Sequence, residues 1–84
     1  MRILLIEDDK EVAQFVRKGL TEAGHAVDHA PNGRDGLFLA AGEPYDVVIV
    51  DRMLPGGIDG LGIVRALRES GNRVPVLFLT ALAD

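Results

Sequence analysis

Three stretches of this sequence are apolar on every consecutive residue: Ile3-Leu4-Leu5-Ile6, Val47-Val48-Ile49-Val50 and Val76-Leu77-Phe78-Leu79. They are short, rich in β-branched side chains and bounded by turn residues. A strand with one wet face alternates apolar and polar positions, and these do not. They read as strands covered on both faces, the pattern of a parallel sheet held between layers of helix. A fourth run, His25 to Ala30, alternates and carries Val27 among small and polar neighbours. That suits a strand at the edge of the sheet.

The intervening segments read as helices. Asp9 caps a helix running to about Ala23, with Val12, Val16, Leu20 and Ala23 on one face and Phe15 beside them. Gly24 is its stop. Asn32-Gly33 turns into a short helix near Arg34 to Ala41, ended by Gly42-Glu43-Pro44. A third helix runs from about Leu61 to Ser70, with Ile63, Val64 and Leu67 facing inward. Gly71-Asn72 stops it and Pro75 opens the last strand. Strands and helices thus alternate strictly, and right-handed crossovers of this length give a layered α/β fold.

Composition narrows the class. A chain of 84 residues, 48% apolar and 26% charged, is one small domain able to build a core. Nine basic against thirteen acidic residues leave a net charge of −4, which argues against a nucleic-acid surface in this segment. The absence of cysteine excludes a disulfide framework, a thiolate metal site and a cysteine nucleophile. The apolar runs fall far short of the ~20 residues of a membrane helix. Glu7-Asp8-Asp9 interrupts the first of them, so no signal peptide is expected and the expected setting is the cytoplasm.

Chemistry gathers where the apolar runs end. The first is followed by Glu7-Asp8-Asp9, the third strand by Asp51 and the fourth by Thr80. In an open parallel sheet, sites form at the carboxyl ends of the strands. If the first, third and fourth strands are neighbours, Glu7, Asp8, Asp51 and Thr80 converge there. Clustered carboxylates repel unless they share a cation. Hard oxygen ligands without His or Cys suit Mg²⁺. A carboxylate beside Mg²⁺ is also a nucleophile toward phosphorus. Asp51, alone at the end of a buried strand, is the candidate, with the Thr80 hydroxyl placed to hydrogen-bond a phosphoryl oxygen. The bland readings are a helix cap for Asp9, cap or ligand for Asp8, a turn acid for Asp51 and a strand-end hydroxyl for Thr80. Met53-Leu54-Pro55-Gly56-Gly57 reads as a tight loop over the site or a plain connector. His25 and His29 read as surface or packing residues. Arg65, Arg68 and Arg73 read as a solvated helix face.

On these motifs the sequence resembles the receiver domain of two-component response regulators. Arg2 to Asp9 resembles its first strand and acidic pair, Val47 to Gly56 its phospho-acceptor strand and loop, and Pro75 to Ala81 its fourth strand and switch threonine. The Met-Leu-Pro-Gly wording is most like the OmpR/PhoB type, which carries a winged-helix DNA-binding domain. The resemblance implies a three-layer, flavodoxin-like parallel sheet in strand order 2-1-3-4, without the family's last helix, strand and helix. It makes Asp51 the phosphorylated residue and Asp8 a direct Mg²⁺ ligand. Glu7 would act through water, Met53 would offer its backbone carbonyl to the metal, and Thr80 would bond the phosphoryl group. It implies a sensor histidine kinase as donor, self-catalysed transfer rather than an enzyme's turnover, and DNA contact only through an output domain outside residues 1–84.

Two departures from the family pattern stand out. The loop Pro55-Gly56-Gly57-Ile58-Asp59-Gly60 is one residue longer than its commonest form. The family's phosphoryl-pairing lysine has no counterpart, since the lysines here are Lys10 and Lys18. The fourth strand is apolar on both faces with nothing following to cover it. The expectation is therefore a shortened piece of a longer chain, or a homodimer or higher association that covers this strand. The rival readings are a pseudo-receiver that docks partners without phosphorylation and an aspartate-nucleophile phosphatase. The latter is weakened by Met53, which stands where such enzymes carry a second acid.

Overall fold

A computed structural model describes residues 1–79 of the chain. The elements run β1 (Arg2–Ile6), α1 (Lys10–Glu22), β2 (Ala26–Ala30), α2 (Gly33–Gly42), β3 (Val47–Asp51), α3 (Gly60–Glu69) and β4 (Val76–Leu79). All three strand pairings are parallel and the sheet order is β2-β1-β3-β4. This is the flavodoxin-like arrangement expected, with the alternating β2 at one edge. Helix boundaries fall within a residue or so of those read from the sequence.

The two faces of the sheet are filled by alternate residues of the same strands. Leu4, Ile6, Val48 and Val50 pack with Ile63 and Leu67 of α3 and Ala40 of α2. Ile3, Leu5, Val27 and Ile49 pack on the other face with Ala13 of α1. The uninterrupted apolar runs of β1 and β3 are thus explained position by position. Gly36 lets α2 lie on β1, since a Cβ there would sit 2.7 Å from Ile6 Cγ1. Gly60 does the same for α3, where a Cβ would meet the Asp51 carbonyl oxygen at 2.8 Å. The helix after β1 therefore lies on one face and the helix after β3 on the other. The two connections part company between the strands that precede them.

The face of α1 differs from the sequence expectation. Its buried residue is Ala13, with Val16 and Leu20 partly buried beside it, while Val12 and Ala23 are exposed and Phe15 is 81% exposed. A small side chain at the closest approach brings the helix down on its Ala13 side and rotates the larger residues outward. On β4, Leu77 and Phe78 are exposed, as expected for an uncovered strand. In the β3–α3 loop, Gly56 takes φ +90°, a conformation that favours glycine, whereas Gly57 does not. At the amino-terminal end of the sheet, the Tyr45 hydroxyl donates to Asp28 at 2.8 Å and the Arg2 guanidinium lies 4.9 Å above the Tyr45 ring.

Candidate functional site

The cleft lies where the two connections diverge. β1 ends at Ile6, so Glu7 and Asp8 emerge from its carboxyl end, and Asp51 is the last residue of β3. Because β1 and β3 are paired, one carboxylate oxygen from each of Glu7, Asp8 and Asp51 lies within 4.8 Å of the others. They share a cleft of about 500 Å³ with Asp9, Val12, Met53 and Leu79. Glu7 is only 4% exposed, Asp51 is half-buried and Asp8 is exposed.

This crowding has an electrostatic consequence. Burial pushes the Glu7 carboxyl up to about 7, the neighbouring Asp8 and Asp51 add to the rise, and an N–H donated by Asp9 opposes it. The Asp9 N–H reaches Glu7 Oε2 at 3.1 Å. The Asp9 side chain caps α1, accepting from the N–H groups of Glu11 at 2.9 Å and Val12 at 3.1 Å. Asp9 is thus the cap the sequence suggested. Asp51 Oδ1 accepts from the Met53 N–H at 2.9 Å, which holds the carboxylate at the mouth of the loop. The Met53 side chain is 80% exposed. Among the described residues the cluster is made of three carboxylates without histidine, an oxygen set of the kind hard divalent cations take.

Glu7, Asp8 and Asp51 are therefore brought together as anticipated. Thr80 and Ala81 lie outside the described residues. His29 of β2, expected as a surface or packing residue, is half-buried and donates its Nε2–H to the Glu7 carbonyl oxygen at 2.8 Å, a bond the sequence reading did not anticipate. The signal was Pro31, which takes the backbone out of the ladder just where Glu7 needs a partner. His25 stays away from the cleft, with Nδ1 3.2 Å from the amino-terminal nitrogen.

A doubly wound parallel sheet with an acidic cleft at its topological switch point defines an α/β module built to bind at the strand ends. The family follows from comparison. Residues 3–84 match the response regulator receiver domain, and the chain belongs to that family. It is 52% identical over 82 residues to the probable transcriptional regulatory protein SilR of Salmonella typhimurium, covering 98% of this chain and 36% of that protein. It is 50% identical to the transcriptional regulatory protein PcoR of Escherichia coli, covering 95% and 35%. The chain thus spans about a third of the length of these relatives. Both agree with the OmpR/PhoB-type resemblance of the loop wording. Among solved structures, a Francisella response regulator 1452 receiver domain superposes with a TM-score of 0.91 at 35% identity, over 99% of this chain and 68% of that one. The Thermotoga maritima response regulator TrrA, in complex with Mg²⁺ and BeF, gives 0.89 at 32%, over 98% and 70%.

Proposed function

We propose that this receiver accepts a phosphoryl group on Asp51 in a Mg²⁺-dependent reaction and so controls a transcriptional output. The observation that carries the reading is the Asp51 carboxylate, held by the Met53 N–H in a cleft it shares with Glu7 and Asp8. In this reading Asp8 and Asp51 ligate Mg²⁺ directly, Glu7 acts through water and Met53 adds its backbone carbonyl. Bound there, Mg²⁺ offsets negative charge on the transferring phosphoryl group.

The donor is a phosphohistidine of a sensor kinase. An Asp51 carboxylate oxygen attacks phosphorus, the P–N bond breaks, and the released imidazole takes up a proton. The transfer is self-catalysed, without turnover of a separate substrate. Asp51 suits this role because the Met53 N–H orients its carboxylate before the donor arrives. Thr80, one residue past β4, supplies a hydroxyl to the phosphoryl oxygens. The setting is cytoplasmic, and DNA is reached only through an output domain outside residues 1–84. Self-association over β4 would cover Leu77 and Phe78, and light scattering checks it.

The deciding experiment is incorporation of phosphate from acetyl phosphate, followed by intact mass. Labelling of one site is expected with Mg²⁺ and is lost with EDTA and in Asp51→Asn. Persistent Mg²⁺-dependent labelling of Asp51→Asn would move the acceptor elsewhere.

A further inference from the structure

We propose that His29 is a positioning residue for the acidic cleft: its Nε2–H holds the Glu7 carbonyl and so fixes the peptide group that carries Asp8. The inference rests on the metal-binding reading above and adds a residue to it.

The argument begins with the ladder between β1 and β2. Ile6 pairs with Ala30, and the Glu7 N–H donates to the Ala30 carbonyl at 3.0 Å. In a parallel ladder the Glu7 carbonyl is next to be satisfied, and the N–H in line for it is that of Asn32. The chain turns away first. Pro31 follows Ala30, and Asn32 is the N-cap of α2, its side chain accepting from the Asp35 N–H. Glu7 is 4% exposed, so its carbonyl has little access to water, and leaving it unpaired carries a desolvation cost. His29 closes the gap from one residue before the end of β2, with Nε2 2.8 Å from that oxygen. A carbonyl oxygen only accepts, so the ring nitrogen carries the proton, which fixes the tautomer of a neutral His29.

The consequence reaches the cleft through covalent geometry. The Glu7 carbonyl and the Asp8 N–H belong to one planar peptide group. Pinning the oxygen sets the rotation of that plane and hence the direction in which Asp8 leaves β1. Asp8 is exposed and follows Glu7 directly, so the orientation of that peptide group sets where its side chain starts. Ligands held this way bind more tightly than ligands that must be ordered on binding.

The test compares His29→Leu, His29→Asn and His29→Gln with the wild-type full chain. Mg²⁺ affinity is read by calorimetry, and thermal melting is read without metal. Leucine removes the donor, asparagine keeps a polar surface but falls short, and glutamine can reach the carbonyl with an amide N–H. The expected result is about a tenfold loss of Mg²⁺ affinity in His29→Leu and His29→Asn, with His29→Gln within about twofold of wild type. Should His29→Leu fail to fold, the asparagine and glutamine pair decides alone. Wild-type affinity in His29→Asn, or an equal loss in His29→Gln, overturns the proposal. A wild-type chain that binds no Mg²⁺ instead refutes the metal-binding reading beneath it.

Discussion

Glu7→Gln isolates the electrostatic strain at the carboxyl end of β1. Glu7 is pushed from its ordinary 4.5 up to about 7 by burial and by Asp8 and Asp51. Between those values the folded chain holds a proton that the unfolded chain has released. Stability therefore falls as pH rises from about 4.5 to about 7, and this contribution is flat above. At about 1.4 kcal/mol per tenfold change in proton affinity, the rise from 4.5 to about 7 comes to at most about 3 kcal/mol. Glutamine mimics the protonated acid and still accepts from the Asp9 N–H. At pH 8 without divalent metal, Glu7→Gln should therefore be the more stable chain by up to that amount. For a domain of this size about 1 kcal/mol moves Tm by about 4–8 °C, so a gain of about 10 °C is within reach. The gain should shrink through pH 7 and vanish near pH 4.5. Carboxylates outside the cleft contribute equally to both chains, so the difference between their pH–Tm curves reports Glu7 together with its interactions with Asp8 and Asp51. Saturating Mg²⁺ should raise Tm of the wild type more than that of the variant. A Tm difference that stays constant from pH 5 to 8, or a variant less stable than wild type at pH 8 without metal, would refute the reasoning.

Three further outcomes follow from the packing and hydrogen bonds. Gly36→Ala drives a Cβ into Ile6, 2.7 Å from Cγ1, and should destabilise by about 1–3 kcal/mol in urea denaturation. Asp59→Ala removes the acceptor that caps α3 through the Gly62 N–H at 2.8 Å and should cost about 1 kcal/mol by the same assay. Tyr45 is pushed up to about 12 by burial and by its hydrogen bond to Asp28. As the single tyrosine of the chain, it should show no tyrosinate absorbance at pH 10.5 while folded and ionise on unfolding in urea.

Most of the fold was legible because its two central strands, β1 and β3, are buried on both faces. Val47-Val48-Ile49-Val50 has no polar position to confuse the reading, and each of its residues packs against one helix layer or the other. The acids of the cleft were legible because each follows such a run directly, so strand pairing alone brings Glu7, Asp8 and Asp51 together. The face of α1 was legible only in part: Val16 and Leu20 pack inward as expected, while Val12 and Ala23 do not. Spacing favoured the larger residues Val12 and Phe15, but the closest approach belongs to Ala13, whose small size carries little weight in a hydrophobic pattern. His29 was missed for a different reason. A histidine on an edge strand has no chemistry of its own in the sequence, and its role depends on a carbonyl 22 residues away.

The parting of the two connections, α1 to one face and α3 to the other, has an evolutionary consequence. The opening at the strand ends is a product of chain path, so no core residue has to be sacrificed to create it. Asp8, Met53 and much of the loop to α3 are exposed, and substitutions at such surface positions typically change stability by no more than about 0.5 kcal/mol. Selection can therefore rewrite what this seam recognises while the apolar strands beneath it stay as they are. The scaffold and its chemistry are inherited together but can diverge at different speeds.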